Sequence, residues 1–360
     1  MSLRELRRQI GRLAIIGFAG HSVPVELRQL AAEFDLGGVI YFGRNIEQPE
    51  QVAELSRQVN VLRREWPLWI SVDQEGGSVA RFKAPFTEWP IAATLGRSGD
   101  EALTSRFAAA LAIELRAVGV NLDFAPVLDV HTNPANPVIG MRALSTRPED
   151  VARLGSAFVR SLQRGGVAAC GKHFPGHGDT SVDSHESLPV VEHDRRRLEM
   201  VELVPFRQAV ADRVATIMTA HVLVPAIDPH QPASFSPVIV QQWLKNQLGY
   251  DGVVVSDDLG MKAVSASTPL PEAAVRAIQA GCDVLLLCNS TIDEQVEALE
   301  GLIRAAETNT LTATRLDDAM KRQHDVKARM AAVGPLPAAD IRALGCTAHQ
   351  AVASEMARWL

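Results

Sequence analysis

A chain of 360 residues with 36 Lys plus Arg against 42 Asp plus Glu carries a formal charge of −6, and 47% of it is hydrophobic. That is ample for a large core and excludes a disordered chain. The mild acidity, with no basic run longer than Arg195-Arg196-Arg197, argues against a dedicated nucleic-acid binder.

The opening segment, MSLRELRRQI, is amphipathic and lacks the apolar stretch of a signal peptide. No apolar run is long enough to span a bilayer. Cys170, Cys282 and Cys288 lie in apolar or small-residue surroundings, and with Cys346 they make only four cysteines. They read as free thiols rather than a disulfide framework, so a cytoplasmic location is expected. The Cys282 to Cys288 spacing matches no common zinc pair.

In chain order, eight runs read as strands: 13–18, 37–42, 68–73, 120–127, 166–174, 215–222, 251–258 and 282–288. Most are continuously apolar, which suits strands buried on both faces of a parallel sheet. Helical patterns fall between them at 51–66, 101–118, 149–165, 198–214, 236–248, 271–280 and 291–308. Eight β–α units predict an α/β fold of the (β/α)₈ TIM-barrel type, with a doubly wound sheet as the alternative. The expected organisation is a catalytic barrel over residues 1–310. Residues 311–360 would add a C-terminal helical extension packed on it.

In such a barrel the active site is built at the C-terminal ends of the strands. Polar residues gather at those positions: Asp73, Glu75 and Arg81 after the third strand, Asn133, Asn136 and Arg142 after the fourth, and His221 after the sixth. The fifth strand runs into KHFPGHGDTSVDSHESLP, residues 172–189, and the seventh ends in Ser256, Asp257 and Asp258. A long loop inside a compact domain tends to be functional. Asp183 and His185 are two residues apart, so a turn can set the carboxylate against the imidazole. That contact fixes the tautomer and favours the protonated ring, as a general acid/base requires. The histidines and aspartates of this loop also allow a Zn²⁺ or Mn²⁺ reading, though their spacing is not that of a clustered ligand set.

The run VVVSDD predicts two carboxylates pointing into the pocket mouth, one able to act as nucleophile or as stabiliser of an oxocarbenium-like transition state. Spacing alone does not say which one reacts. Lys172, His173, Arg81 and Arg142 would donate to a hydroxyl-rich substrate, and Asp73 would accept. No glycine-rich phosphate motif accompanies them.

Together, KHFPGHGDT-x-x-DSH, the upstream SVDQEGG-x-V-x-RF, IG-x-R-x-LS and GVVVSDDLGM resemble glycoside hydrolase family 3, and within it the single-domain bacterial β-N-acetylhexosaminidases of peptidoglycan recycling. The resemblance runs from about Gly37 to Asn289. It implies that Asp257 is the catalytic nucleophile, His185 the general acid/base and Asp183 its partner. It places Asp73, Arg81, Arg142, Lys172 and His173 at sugar-binding positions. It implies no metal and no organic cofactor, and a monomer acting on small N-acetylglucosaminyl muropeptides, with no nucleic-acid or membrane partner. A substrate-assisted hexosaminidase, a phosphorolytic variant and a non-catalytic sugar-binding barrel are the competing readings.

Overall fold

The computed structural model describes residues 2–62, 66–333 and 340–360. Eight parallel strands close into a barrel: β1 (Ala14–Gly17), β2 (Gly38–Tyr41), β3 (Trp69–Val72), β4 (Leu122–Asp123), β5 (Ala168–Phe174), β6 (Thr216–Thr219), β7 (Val253–Asp258) and β8 (Val284–Leu287). Each pairs with its sequence neighbours, and β1 closes on β8 through the register Ala14↔Leu285, Ile15↔Leu286 and Ile16↔Leu287. The (β/α)₈ expectation therefore holds and the doubly wound alternative falls.

Alternation along each strand divides the core in two. Ile15, Ile40, Trp69, Cys170, Met218, Val255 and Leu286 fill the lumen. Their neighbours, such as Ile16, Val39, Val254 and Leu285, face the surrounding helices. The lumen is thus a packed plug of apolar side chains.

The elements differ from the expectation in four places. The run 120–127 contributes only Leu122–Asp123 to the ladder, because Pro126 has no N–H to donate. The chain rejoins through the Val127↔Lys172 bridge. The helix expected at 198–214 breaks into Arg195–Met200 and Leu203–Ala211. Pro205 explains this: in a continuous helix its ring would clash with the carbonyl four residues back, whereas at the third position of a new helix it costs nothing. A helix not expected from the sequence spans Val25–Phe34, with Leu27, Leu30, Ala31 and Phe34 buried at helical spacing. The helix expected at 51–66 is seen as Pro49–Leu62, and residues 63–65 lie outside those described.

Beyond residue 310 come helices Ala313–Ala331 and Thr347–Ala357, with 334–339 outside the described residues. Lys327, on the first, is buried. It donates to the backbone oxygens of Pro67 (2.7 Å) and Gly37 (3.3 Å), at the N-terminal end of the barrel opposite the strand ends discussed below. On the second, His349 Nδ1 lies 2.8 Å from the buried Glu114 carboxylate of helix Glu101–Ala117. Among the described residues no helix is long and apolar enough to cross a membrane.

Candidate active site

The C-terminal ends of the strands surround a cavity of about 180 Å³. Of the eight residues singled out from sequence, Asp73, Arg81, Arg142, Lys172, His173, His185 and Asp257 line it. Asp183 stands behind His185, its Oδ1 2.8 Å from the ring Nδ1.

One wall is an ion-pair cluster. Lys172, carried in the lumen by β5, places Nζ 2.7 Å from Glu75 and 3.0 Å from Asp73. Arg142 clasps Glu75 with two hydrogen bonds, 2.9 and 2.8 Å, and Arg81 reaches Asp73 at 3.4 Å. Burial alone would raise the Glu75 carboxyl, but Lys172 and Arg142 override it and hold it well below the usual carboxylate range. The same carboxylates keep Lys172 firmly charged against the cost of its own burial. Glu75 went without a role in the sequence reading. It organises Arg142 and Lys172, so part of their donor capacity is already committed to the protein.

His173 is fixed from behind. Its Nδ1 lies 2.7 Å from Asp129 Oδ2, while Asp129 Oδ1 accepts the backbone N–H of His173 (3.2 Å) and of His177 (2.7 Å). Burial raises the Asp129 carboxyl, yet His173 and His177 bring it below its ordinary value. Asp129 was also missed, although its place just after β4 in the run APVLDV was the available signal.

The pair at the end of β7 does not behave as expected from VVVSDD, for adjacent strand residues point to opposite sides. Both oxygens of Asp258 are used: Oδ1 accepts from the amides of Cys288 (3.0 Å) and Gly260 (3.2 Å), and Oδ2 from Asn289 (3.0 Å). Burial nonetheless pushes its carboxyl up. Asp257 accepts only the Asp258 amide, at 2.8 Å, among the described residues. Burial would raise it as well, but His221, His173 and Lys172 around it, with that amide, keep it below the usual carboxylate value. His221 is completely buried, its Nε2 donating to the Asp258 carbonyl (3.0 Å) and its Nδ1 2.7 Å from the Ser234 hydroxyl.

The loop after β5 is braced from below. Gly178 lies where an added Cβ would come within 1.9 Å of the Val130 carbonyl oxygen, so only glycine lets the loop pass so close. Asn136 donates to the His177 carbonyl (2.8 Å) and Asn133 to that of Thr180 (3.2 Å). These asparagines serve the loop rather than the pocket. Asp179, His193 and Glu202 bring metal-ligand-type atoms within 4.8 Å of one another. The Arg197 guanidinium already lies 3.5 Å from Asp179 and 3.2 Å from Glu202, supplying positive charge there.

The chain as a whole has relatives. Residues 5–326 match the glycosyl hydrolase family 3 N-terminal domain. The chain is 45% identical over 281 residues to a beta-hexosaminidase of Alkalilimnicola ehrlichii, covering 76% of this chain and 80% of that protein. A solved family 3 beta-N-acetylglucosaminidase from Paenibacillus sp. superposes with a TM-score of 0.93 at 41% identity, covering 100% of this chain and 69% of the other. NagZ from Neisseria gonorrhoeae, solved with N-trifluoroacetyl-D-glucosamine, gives 0.80 at 32% identity, with 96% of this chain and 97% of that one covered. By its matched span and these likenesses, the chain belongs to glycosyl hydrolase family 3.

Proposed function

We propose that the protein is a retaining exo-β-N-acetylhexosaminidase that removes terminal, non-reducing β-linked N-acetylglucosamine. The observation that carries this reading is Asp257: an ionised carboxylate at the end of β7, surrounded by cationic and imidazole groups, with one oxygen held and the other uncommitted at the cavity. Asp257 attacks the anomeric carbon while His185, oriented by Asp183, protonates the departing oxygen. The same imidazole then deprotonates a water that releases the sugar with retained configuration. Asp73, Arg81, Arg142, Lys172 and His173 bind the sugar hydroxyls, with Glu75 and Asp129 keeping the donors in place. The relatives' names supply the choice of N-acetylhexosamine. The motif resemblance supplies the aglycone, a 1,6-anhydro-N-acetylmuramyl peptide of peptidoglycan recycling. Four free cysteines, three of them buried, suit a reducing compartment such as the cytoplasm.

The test is turnover of an aryl β-N-acetylglucosaminide against the matching β-glucoside, together with Asp257→Ala. The acetamido sugar should be strongly preferred. The variant should lose on the order of 10⁴-fold or more in kcat while still folding. Activity within tenfold of wild type would move the nucleophile to Asp258 or to the substrate's own acetamido oxygen. A covalent sugar trapped on Asp257 excludes the substrate-assisted route, and product formed with and without phosphate separates hydrolysis from phosphorolysis.

A further inference from the structure

His177 lies in the same loop as His185, lines the cavity, and is only 2% exposed. Neither of its nitrogens is available to a substrate. Nδ1 lies 2.6 Å from the Thr180 hydroxyl and Nε2 lies 3.1 Å from the Ser184 hydroxyl. The Thr180 hydroxyl donates its proton to the His177 carbonyl oxygen at 3.1 Å, so it accepts from Nδ1, and Nε2 accepts from Ser184. Burial, reinforced by His173, pushes the ring down to about 4 against the pull of Asp129 and Asp257, so it is neutral near pH 7.

Ser184 is the residue between Asp183 and His185, and it is buried although both neighbours are more exposed. Its hydroxyl meets His177, and its carbonyl accepts the N–H of Ala263 at 3.2 Å. Ala263 lies in the short helix Lys262–Ser265, five residues past the end of β7. His177 is itself anchored, since its own N–H is bound by Asp129 at 2.7 Å. A continuous buried chain thus runs from Asp129 in the loop after β4, through His177 and Ser184, to the segment that follows Asp257 and Asp258.

We infer that His177 is a positioning residue: through Ser184 it fixes the stem of the loop tip and so sets where the Asp183–His185 pair enters the cavity. The side chains on either side of Ser184 project from this one buried point, so a mobile Ser184 spreads His185 over many orientations. The inference rests on the reading of His185 as acid/base for its catalytic consequence. The anchoring itself does not depend on that reading.

Two measurements test it on the full chain. The first is hydrogen exchange of residues 181–187 in wild type, His177→Ala and His177→Gln. Exchange there should rise on the order of tenfold in His177→Ala, with the barrel strands unchanged. His177→Gln should stay near wild type, because an amide both donates and accepts. Unchanged exchange in His177→Ala overturns the inference whatever the catalytic role of His185. The second is kcat/KM across aryl glycosides of graded leaving-group pKa. His177→Ala should lose about 10²-fold on the poorest leaving group and little on the best, following His185→Ala. An equal loss on all substrates overturns positioning in favour of a general collapse of the site. If His185→Ala shows no leaving-group dependence, the acid/base reading fails, and the exchange result alone decides the anchor. Should His177→Ala fail to fold, Ser184→Ala removes the same bond from its other end and carries both measurements.

Discussion

The molecule holds two Asp–His pairs at the mouth of one barrel, with nearly the same geometry and opposite surroundings. Asp129–His173 spans 2.7 Å with side chains 0% and 8% exposed; Asp183–His185 spans 2.8 Å with 29% and 66%. The buried pair joins the loop after β4 to β5 itself, and its carboxylate also binds two backbone amides. The exposed pair sits near the tip of a loop, and its carboxylate binds the backbone N–H of His185 at 2.9 Å. Pairing distance therefore does not separate a dyad held rigid in the barrel from one proposed to act as an acid/base. Solvent and backbone attachment do. A general acid/base must exchange its proton with water once per turnover and must meet leaving groups of different shape, which a fully enclosed imidazole does poorly. A residue that holds one sugar hydroxyl gains from enclosure and rigidity.

Removing each histidine breaks this comparison most sharply. His185→Ala should cost roughly 10²–10⁴-fold in the glycosylation step on a natural disaccharide, far less on an activated aryl glycoside, and leave stability to denaturant nearly unchanged. His173→Ala should lower kcat/KM by a similar factor for every leaving group, because its proposed contact is with the sugar rather than with the departing oxygen. A leaving-group slope in His185→Ala no steeper than wild type would shift the acid role to a carboxylate, such as Glu186, the residue directly after His185.

The next contrast is in stability. Asp129→Ala or His173→Ala leaves a buried partner uncompensated and should cost about 3 kcal/mol in urea unfolding. Asp183→Ala should cost under about 1 kcal/mol, since water already screens that pair. Equal costs would mean that the loop pair is as structural as the buried one.

Acid sharpens the same difference. Asp129 and Asp183 both have carboxyls lowered by their partners, against the raising effect of burial. A lowered folded-state value means that the unfolded chain binds the proton first. The contribution is complete above the ordinary Asp value of about 3.9 and is lost as pH falls through the lower, folded one. Unfolding free energy should therefore drop as pH falls below about 4, and Asp129→Asn should flatten that slope more than Asp183→Asn does. The smallest expected effect is that of chelation. EDTA should leave kcat/KM unchanged within error, because the mechanism gives the histidines of the 172–185 stretch non-metal roles. Loss of activity restored by Zn²⁺ or Mn²⁺ would instead make the loop histidines ligands.

Much of this was legible in the linear chain. Continuous apolar runs ending in polar residues announce buried parallel strands with chemistry at one end, and β7 is the plainest: three valines followed by Ser256, Asp257 and Asp258. The same logic brought Asp73, Lys172, His173 and Asp257 to one cavity across 185 positions of sequence, the span from residue 73 to residue 257 counted inclusively. Local rules also explain what was readable and went unread, such as the helix start at Leu203 marked by Pro205.

What the linear order could not contain is which partner each charge takes. Asp257 and Asp258 are chemically identical neighbours; only the packing of β8 alongside, which turns the Cys288 amide and Asn289 toward Asp258, leaves Asp257 as the available carboxylate. Asp129 and Asp183 both precede a histidine that each binds, yet one partner is 44 residues away and the other two. Their different exposure follows from where the barrel closes and where its loop protrudes. Burial and hydrogen-bond partnership are properties of the three-dimensional neighbourhood. The sequence by itself therefore determined the barrel and the residues at its mouth, and the tertiary structure alone decided which of them hold the others still and which remain available to react.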